Sequence, residues 1–193
     1  MSRIAFLRLE WTLSLALVLV SGVWATLRSL PLAPLLVPTP GRVLAGALAG
    51  ALLWSTIPVL LCAPSMQRVW RDVLRPFAAT ITTTDVLVIA TLSGLTEELF
   101  FRGVLLPETG VVVSSLCFGA LHALTATYFV WATAVGAVMS ALTLAAGSLV
   151  VPIVAHATSN FGALLLLRRA AGRAASSPRP ERPPTIASPH GIG

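Results

Sequence analysis

Apolar residues run along this chain in long blocks, and polar residues fall almost entirely between the blocks. The first block, Trp11 to Leu27, carries no charge and follows Arg3, Arg8 and Glu10. Counted with its flanks it is long enough to cross a bilayer, which takes about 20 apolar residues in a helix. A signal peptide is the other reading, although no small-x-small cleavage pattern follows cleanly in VSGVWATLRSLP. The proline-rich stretch from Pro31 to Gly41 reads as a non-helical connector. Val43 to Cys62 makes a second span, with Pro58 as a kink point. SMQRVWRDVLR then sets Arg68, Arg71 and Arg75 at helical spacing among Val69, Trp70, Val73 and Leu74, the pattern of an interfacial helix on the anionic side of a membrane. A third span starts near Thr84 and Asp85 and runs through TEELFFRGVLL to Pro107, with a tight turn at Glu108, Thr109 and Gly110. Val111 to Leu167 is apolar over a length that suits three further spans, divided near Thr127 and near Gly147 and Ser148. Beyond Leu167 the chain has little to bury, which predicts disorder. The expected fold is all-α: a polytopic transmembrane helical bundle over residues 1–167 with about six spans, the polar groups on the last four, and an Arg/Pro-rich disordered tail over 168–193.

Composition sharpens the membrane reading and removes a rival. The 193 residues are 56% hydrophobic and 10% charged, against roughly a quarter charged in soluble domains. The net charge of +6 comes from thirteen basic residues, all of them arginine. They gather at the ends of apolar runs and in the tail rather than along one folded face, which argues for a lipid bilayer as partner and against nucleic acid. Placing both termini in the cytoplasm puts ten of the thirteen on that side. Cys62 and Cys117 lie within apolar runs without a partner at ligand spacing and read as buried small hydrophobes. No internal repeat or inverted symmetry of the transporter kind is present, which counts against ion-coupled transport.

Against this background a few ionisable residues stand out. Glu97, Glu98, Arg102, His122 and His156 all fall within expected spans, where each costs on the order of 2.5–3.5 kcal/mol at a helix centre. Five together imply a shared polar site. Glu98 and Arg102 are four apart and pair on one helix face, while Glu97 points roughly 100° away. His156 and Asn160 are also four apart, and His122 sits on a third element, one turn after Phe118. A carboxylate and an imidazole around a trapped water form a general base. A second imidazole and an amide can donate to the oxyanion formed when water attacks an amide carbonyl. Peptide hydrolysis in the membrane plane fits those roles. Glu97, His122 and His156 also suit a divalent metal such as zinc with an open water position, so metal-bound and metal-free water both satisfy the sequence. Singly, the Glu98–Arg102 pair, the histidines and Asn160 have structural readings, and Phe118 reads as core. A non-catalytic immunity or scaffold protein keeping the polar site for its fold is therefore the alternative.

The same residues resemble a known family. TEELFFRG is similar to the first motif, EExxxR, of the CPBP intramembrane proteases, the CAAX proteases and bacteriocin-processing enzymes related to type II CAAX prenyl endopeptidases. FGALH, Phe118 to His122, resembles the second motif, FxxxH, and HATSN, His156 to Asn160, the third, HxxxN. The likeness covers roughly residues 80–167. It implies that Glu97 activates water with help from His122, that His156 and Asn160 form the oxyanion side, and that Glu98 and Arg102 are a supporting ion pair. It further implies an integral protein of a bacterial plasma membrane acting on a membrane-associated peptide or protein. The family is described both as zinc metalloproteases and as metal-free, glutamate-dependent enzymes. Only 15 residues separate Arg102 from Phe118, a compressed connection.

Overall fold

The computed structural model describes residues 2–176, and every regular element among them is helical. The long helices are α1 (Arg3–Leu27), α2 (Pro40–Trp54), α3 (Thr83–Glu98), α4 (Leu106–Leu121), α5 (Ala126–Ala146) and α6 (Val150–Ser176). Their starts follow from side chains that satisfy the free N–H groups of a first turn. Ser2, Thr39 and Thr125 accept from Ala5, Arg42 and Tyr128. Thr82 and Asp85 form a reciprocal capping box, which begins α3 just ahead of the Thr84–Asp85 start that the sequence suggests.

Proline and glycine set the breaks. α2 ends at Trp54, four residues before Pro58, where the proline ring would clash with the helical carbonyl; helix resumes at Ile57–Leu61. The kink expected at Pro58 is thus a break one turn earlier. Arg68, Arg71 and Arg75 lie exposed on the following short helices, as an interfacial segment requires. Pro107 does not stop the third span. The helix widens to π geometry over Leu99–Leu105 and passes into α4, whose first turn tolerates Pro107. The chain turns instead at Gly110, with φ 77° and ψ 175°, backbone values open essentially to glycine alone.

That turn changes the span count. Ser114 Oγ donates to the carbonyl of Phe101 at 3.0 Å, whereas a helix continuing straight would hold two such residues about 20 Å apart. The arm from Val111 to Leu121 therefore folds back along the end of α3. It is about 16 Å long, half of a bilayer core of about 30 Å. Among the described residues five stretches are long and apolar enough to cross a membrane, including the folded Thr83–Leu121, rather than six. An apolar run shows how much chain is lipid-compatible, not whether it crosses or returns.

α6 is the central helix, packed on α2 and α3. Close approach depends on small residues: a Cβ on Gly46 would stand 2.7 Å from the Val151 carbonyl, and one on Gly94 2.8 Å from the Ala157 nitrogen. α6 continues to Ser176 and buries Ala171, so the region expected to be disordered from 168 is helical as far as 176. Residues 177–193 of that tail lie outside the described residues. α1 is apolar outward: Ser14, Ser21 and Ala25 are buried while Leu13, Leu15, Leu19 and Val23 are exposed. Cys62 and Cys117 are likewise exposed, not buried, because the apolar positions of a lipid-facing helix point outward.

Contacts at the two ends fix the topology. Arg3 binds the Asp85 carboxylate with two bonds of 2.7 and 2.8 Å, and Arg168 donates to Thr83 at 2.9 Å. The start of α1, the start of α3 and the late part of α6 share one end. Arg28 pairs with Glu108 at 3.0 Å and Leu149 bonds to Leu35 at the other end.

Candidate active site

The last turn of α3 sends adjacent glutamates in different directions. Glu98 points inward and is sealed from solvent. Its Oε1 accepts from Arg102 Nη1 at 2.9 Å and from His156 Nδ1 at 2.7 Å. Arg102 is equally buried; its Nη2 donates to the Gly136 carbonyl at 3.0 Å, and its guanidinium lies 4.6 Å from the centre of the Phe118 ring. The helix-spaced pair is thus extended by α6 and α5 into one network, which desolvated charges need if they are to be tolerated.

Glu97 faces the other way, toward space. Its Oε2 lies 3.5 Å from His122 Nε2, a contact longer than a hydrogen bond, and has no other polar partner among the described residues. The Gly110 hairpin makes this meeting possible, because the half-length arm ends at the depth of Glu97 and delivers His122 there. His122 is fixed from behind. Its Nδ1 sits 2.8 Å from the Phe118 carbonyl, which can only accept, so the Nδ1 proton is donated and Nε2 faces Glu97. The imidazole also stacks on Phe118 with ring centres 4.3 Å apart. Phe118, read from sequence as core, lies in the buried cluster with Phe101 and Ala132 and supports both His122 and Arg102.

Three adjoining cavities converge here. One of about 160 Å³ is lined by His122, Tyr128, His156, Ser159 and Asn160. A second of about 250 Å³ includes Glu10, Ser93, Glu97, Tyr128 and Asn160. A third of about 240 Å³ includes Glu10, Ser14, Thr96, Glu97 and His122. Asn160 donates through Nδ2 to Ser93 Oγ at 2.9 Å, which leaves its second N–H free. The structure therefore brings Glu97 to His122, and His156 to the Glu98–Arg102 pair, with Asn160 joining the cavities between them. It does not gather Glu97, His122 and His156 as metal ligands. Among the described residues no three His, Cys, Asp or Glu side chains are placed to share an ion, and Nδ1 of His156 is engaged by Glu98.

Residues 79–162 match the family model described as type II CAAX prenyl endopeptidase Rce1-like. That segment, somewhat less than half of the chain, is similar to the family. The match takes in Glu97, Glu98, Arg102, Phe118, His122, His156 and Asn160, and it leaves out α1, α2 and the end of α6. No curated protein and no solved structure matches the chain. The matched segment supplies most of the polar lining, yet α1 adds Glu10 and Ser14 from outside it. Sequence reading passes over Glu10, Ser93 and Tyr128. Ser93 could have been found as the polar residue one turn before Glu97, whereas Tyr128 carries no positional signal.

Proposed function

We propose that this integral membrane protein is an intramembrane endopeptidase that hydrolyses a peptide bond of a membrane-associated peptide or protein. The observation that carries this reading is the Glu97–His122 pair, 3.5 Å apart, facing cavities that His156 and Asn160 also line. Glu97 Oε2 and His122 Nε2 can bond the same water molecule. Glu97 takes the proton as the water oxygen attacks the carbonyl carbon. The resulting oxyanion is met by the free N–H of Asn160 and by His156, whose Nδ1–H is turned to Glu98 and whose Nε2 is left for the cavity. A ring protonated at both nitrogens donates there, with Glu98 as its counter-ion. Glu97 then returns the proton to the leaving amine as the C–N bond breaks. His122, His156 and Asn160 are each held by a partner that does not react, the Phe118 carbonyl, Glu98 and Ser93, so these groups need little rearrangement.

No step above passes through a metal, because the donor set is not gathered. Activity of purified protein is expected to survive EDTA and 1,10-phenanthroline; loss that added zinc restores would establish a metal site instead. The orientation with both termini cytoplasmic belongs to this proposal, and it is supported by Arg168 lying at the end that holds Arg3 and by Phe77, two residues after Arg75, packing on Phe6 of α1. The non-catalytic alternative is favoured only by the Glu98–Arg102–His156 network, which is structural in kind. The deciding experiment compares peptides accumulating in cells that carry the wild-type protein or Glu97→Gln. Uncleaved substrate in the variant alone supports the protease, and identical profiles support the scaffold.

A further inference from the structure

Glu10 is an anomaly of placement. It sits on α1, many of whose large side chains are exposed, and it lies outside the segment that matches the family model. It is a half-buried carboxylate that lines both cavities flanking Glu97. Its position is set by packing. One turn further on, Ser14 is buried against α3, with its hydroxyl 3.5 Å from that of Thr96, the residue preceding Glu97. The register that joins Ser14 to Thr96 turns Glu10 toward the space in front of Glu97.

Among the described residues neither cavity has an arginine in its wall. Of the nearby arginines, Arg3 is engaged with Asp85 and Arg102, just beyond α3, with Glu98, while Arg8 lies exposed on α1 and lines neither cavity. Besides Glu10, Ser93, Glu97, Tyr128 and Asn160, the larger cavity is lined by apolar residues, Leu60, Met66, Leu124 and Leu164 among them. A carboxylate in such surroundings gains most from a cation or N–H donor brought in by a bound molecule.

We propose that Glu10 is a specificity-determining residue of this site, selecting substrates that carry a basic side chain beside the scissile bond. The apolar walls accept aliphatic neighbours of that residue, and Glu10 receives its guanidinium or ammonium group. The inference rests on Glu97 being the base of a peptidase. It adds a preference that neither the motifs nor the domain match contains.

The test uses the full-length protein in proteoliposomes with peptides of randomised sequence fused to a single transmembrane helix, cleavage being mapped by mass spectrometry. Matched substrates then carry arginine or citrulline, its uncharged near-isostere, at each position around the cleaved bond. At one position the wild type is expected to favour arginine by roughly tenfold in kcat/KM. Glu10→Gln should bring that ratio close to one, Glu10→Arg should invert it in favour of citrulline, and Glu10→Asp should keep it. A wild-type ratio near one at every position overturns the proposal. So does an unchanged ratio in Glu10→Gln, including an equal loss on both substrates. The wild-type ratio can be read even where a variant fails to fold. Absence of any cleavage by the wild type rejects the peptidase reading along with this one, whereas Glu97-dependent cleavage indifferent to substrate charge rejects this one alone.

Discussion

Glu97 and Glu98 are adjacent, yet their surroundings assign them opposite duties. Glu98 Oε1 serves two donors while Oε2 has no partner, and the whole side chain is shut away from solvent. Removing one member of such a network leaves an uncompensated buried charge, which costs about 3–5 kcal/mol. Glu98→Ala is therefore expected to lower stability by about that amount, read as a fall in melting temperature or recovery from detergent. Glu97 has nothing to lose of this kind. Glu97→Gln should leave the melting temperature in place while peptide cleavage falls by about 10²–10⁴, the usual contribution of a general base. A matched loss of stability in both variants would mean that Glu97 is also structural. His122→Ala should resemble Glu97→Gln. Phe118→Leu should act less directly, releasing the imidazole that stacks on it and thereby lowering cleavage while the fold persists.

The elements carry the geometry, and two of them do so in ways the apolar pattern does not reveal. The turn at Glu108 to Gly110 is legible, since a charged residue followed by glycine interrupts an apolar run. That the next arm covers only half a bilayer is not legible, because its residues suit lipid or protein equally. The 15 residues between Arg102 and Phe118 are enough for a return to the depth of Glu97 and too few for two crossings. Gly110 is the hinge of that return. Gly110→Ala should cost about 1–3 kcal/mol of backbone strain and separate His122 from Glu97, so that activity falls further than the melting temperature alone explains. Helix contact is equally particular. Gly94→Leu would drive α6 from α3 at Ala157 and should part Asn160 from Ser93. A cross-link between cysteines at positions 93 and 160 should form readily in the parent and weakly in that variant. An equal yield would contradict the packing argument.

For the molecule as a whole, the three polar motifs converge because α3, the returning arm α4 and the central α6 meet at one depth. Spacing within each helix was readable from sequence, which is why the Glu98–Arg102 pair and the facing of His156 and Asn160 could be anticipated. Distances between helices were not, and they decide that His156 joins Glu98 while His122 joins Glu97. Glu10 was hidden for another reason: a lone acid near the start of a span reads as its polar flank. Arg3 and Arg168 meet α3 at the same end. Single cysteines placed at positions 2 and 176 should accordingly be labelled from the same side of sealed vesicles, and labelling from opposite sides would refute the topology. The central claim is that Glu97, set against His122 inside the bilayer, makes water attack a peptide bond. Its most direct test is cleavage of a membrane-anchored peptide in ¹⁸O-labelled water by purified wild type and Glu97→Gln in proteoliposomes. The account predicts one ¹⁸O in the new carboxyl terminus with wild type and a rate at least about 100-fold lower with an equally folded Glu97→Gln. Cleavage at the same rate by both proteins would contradict it.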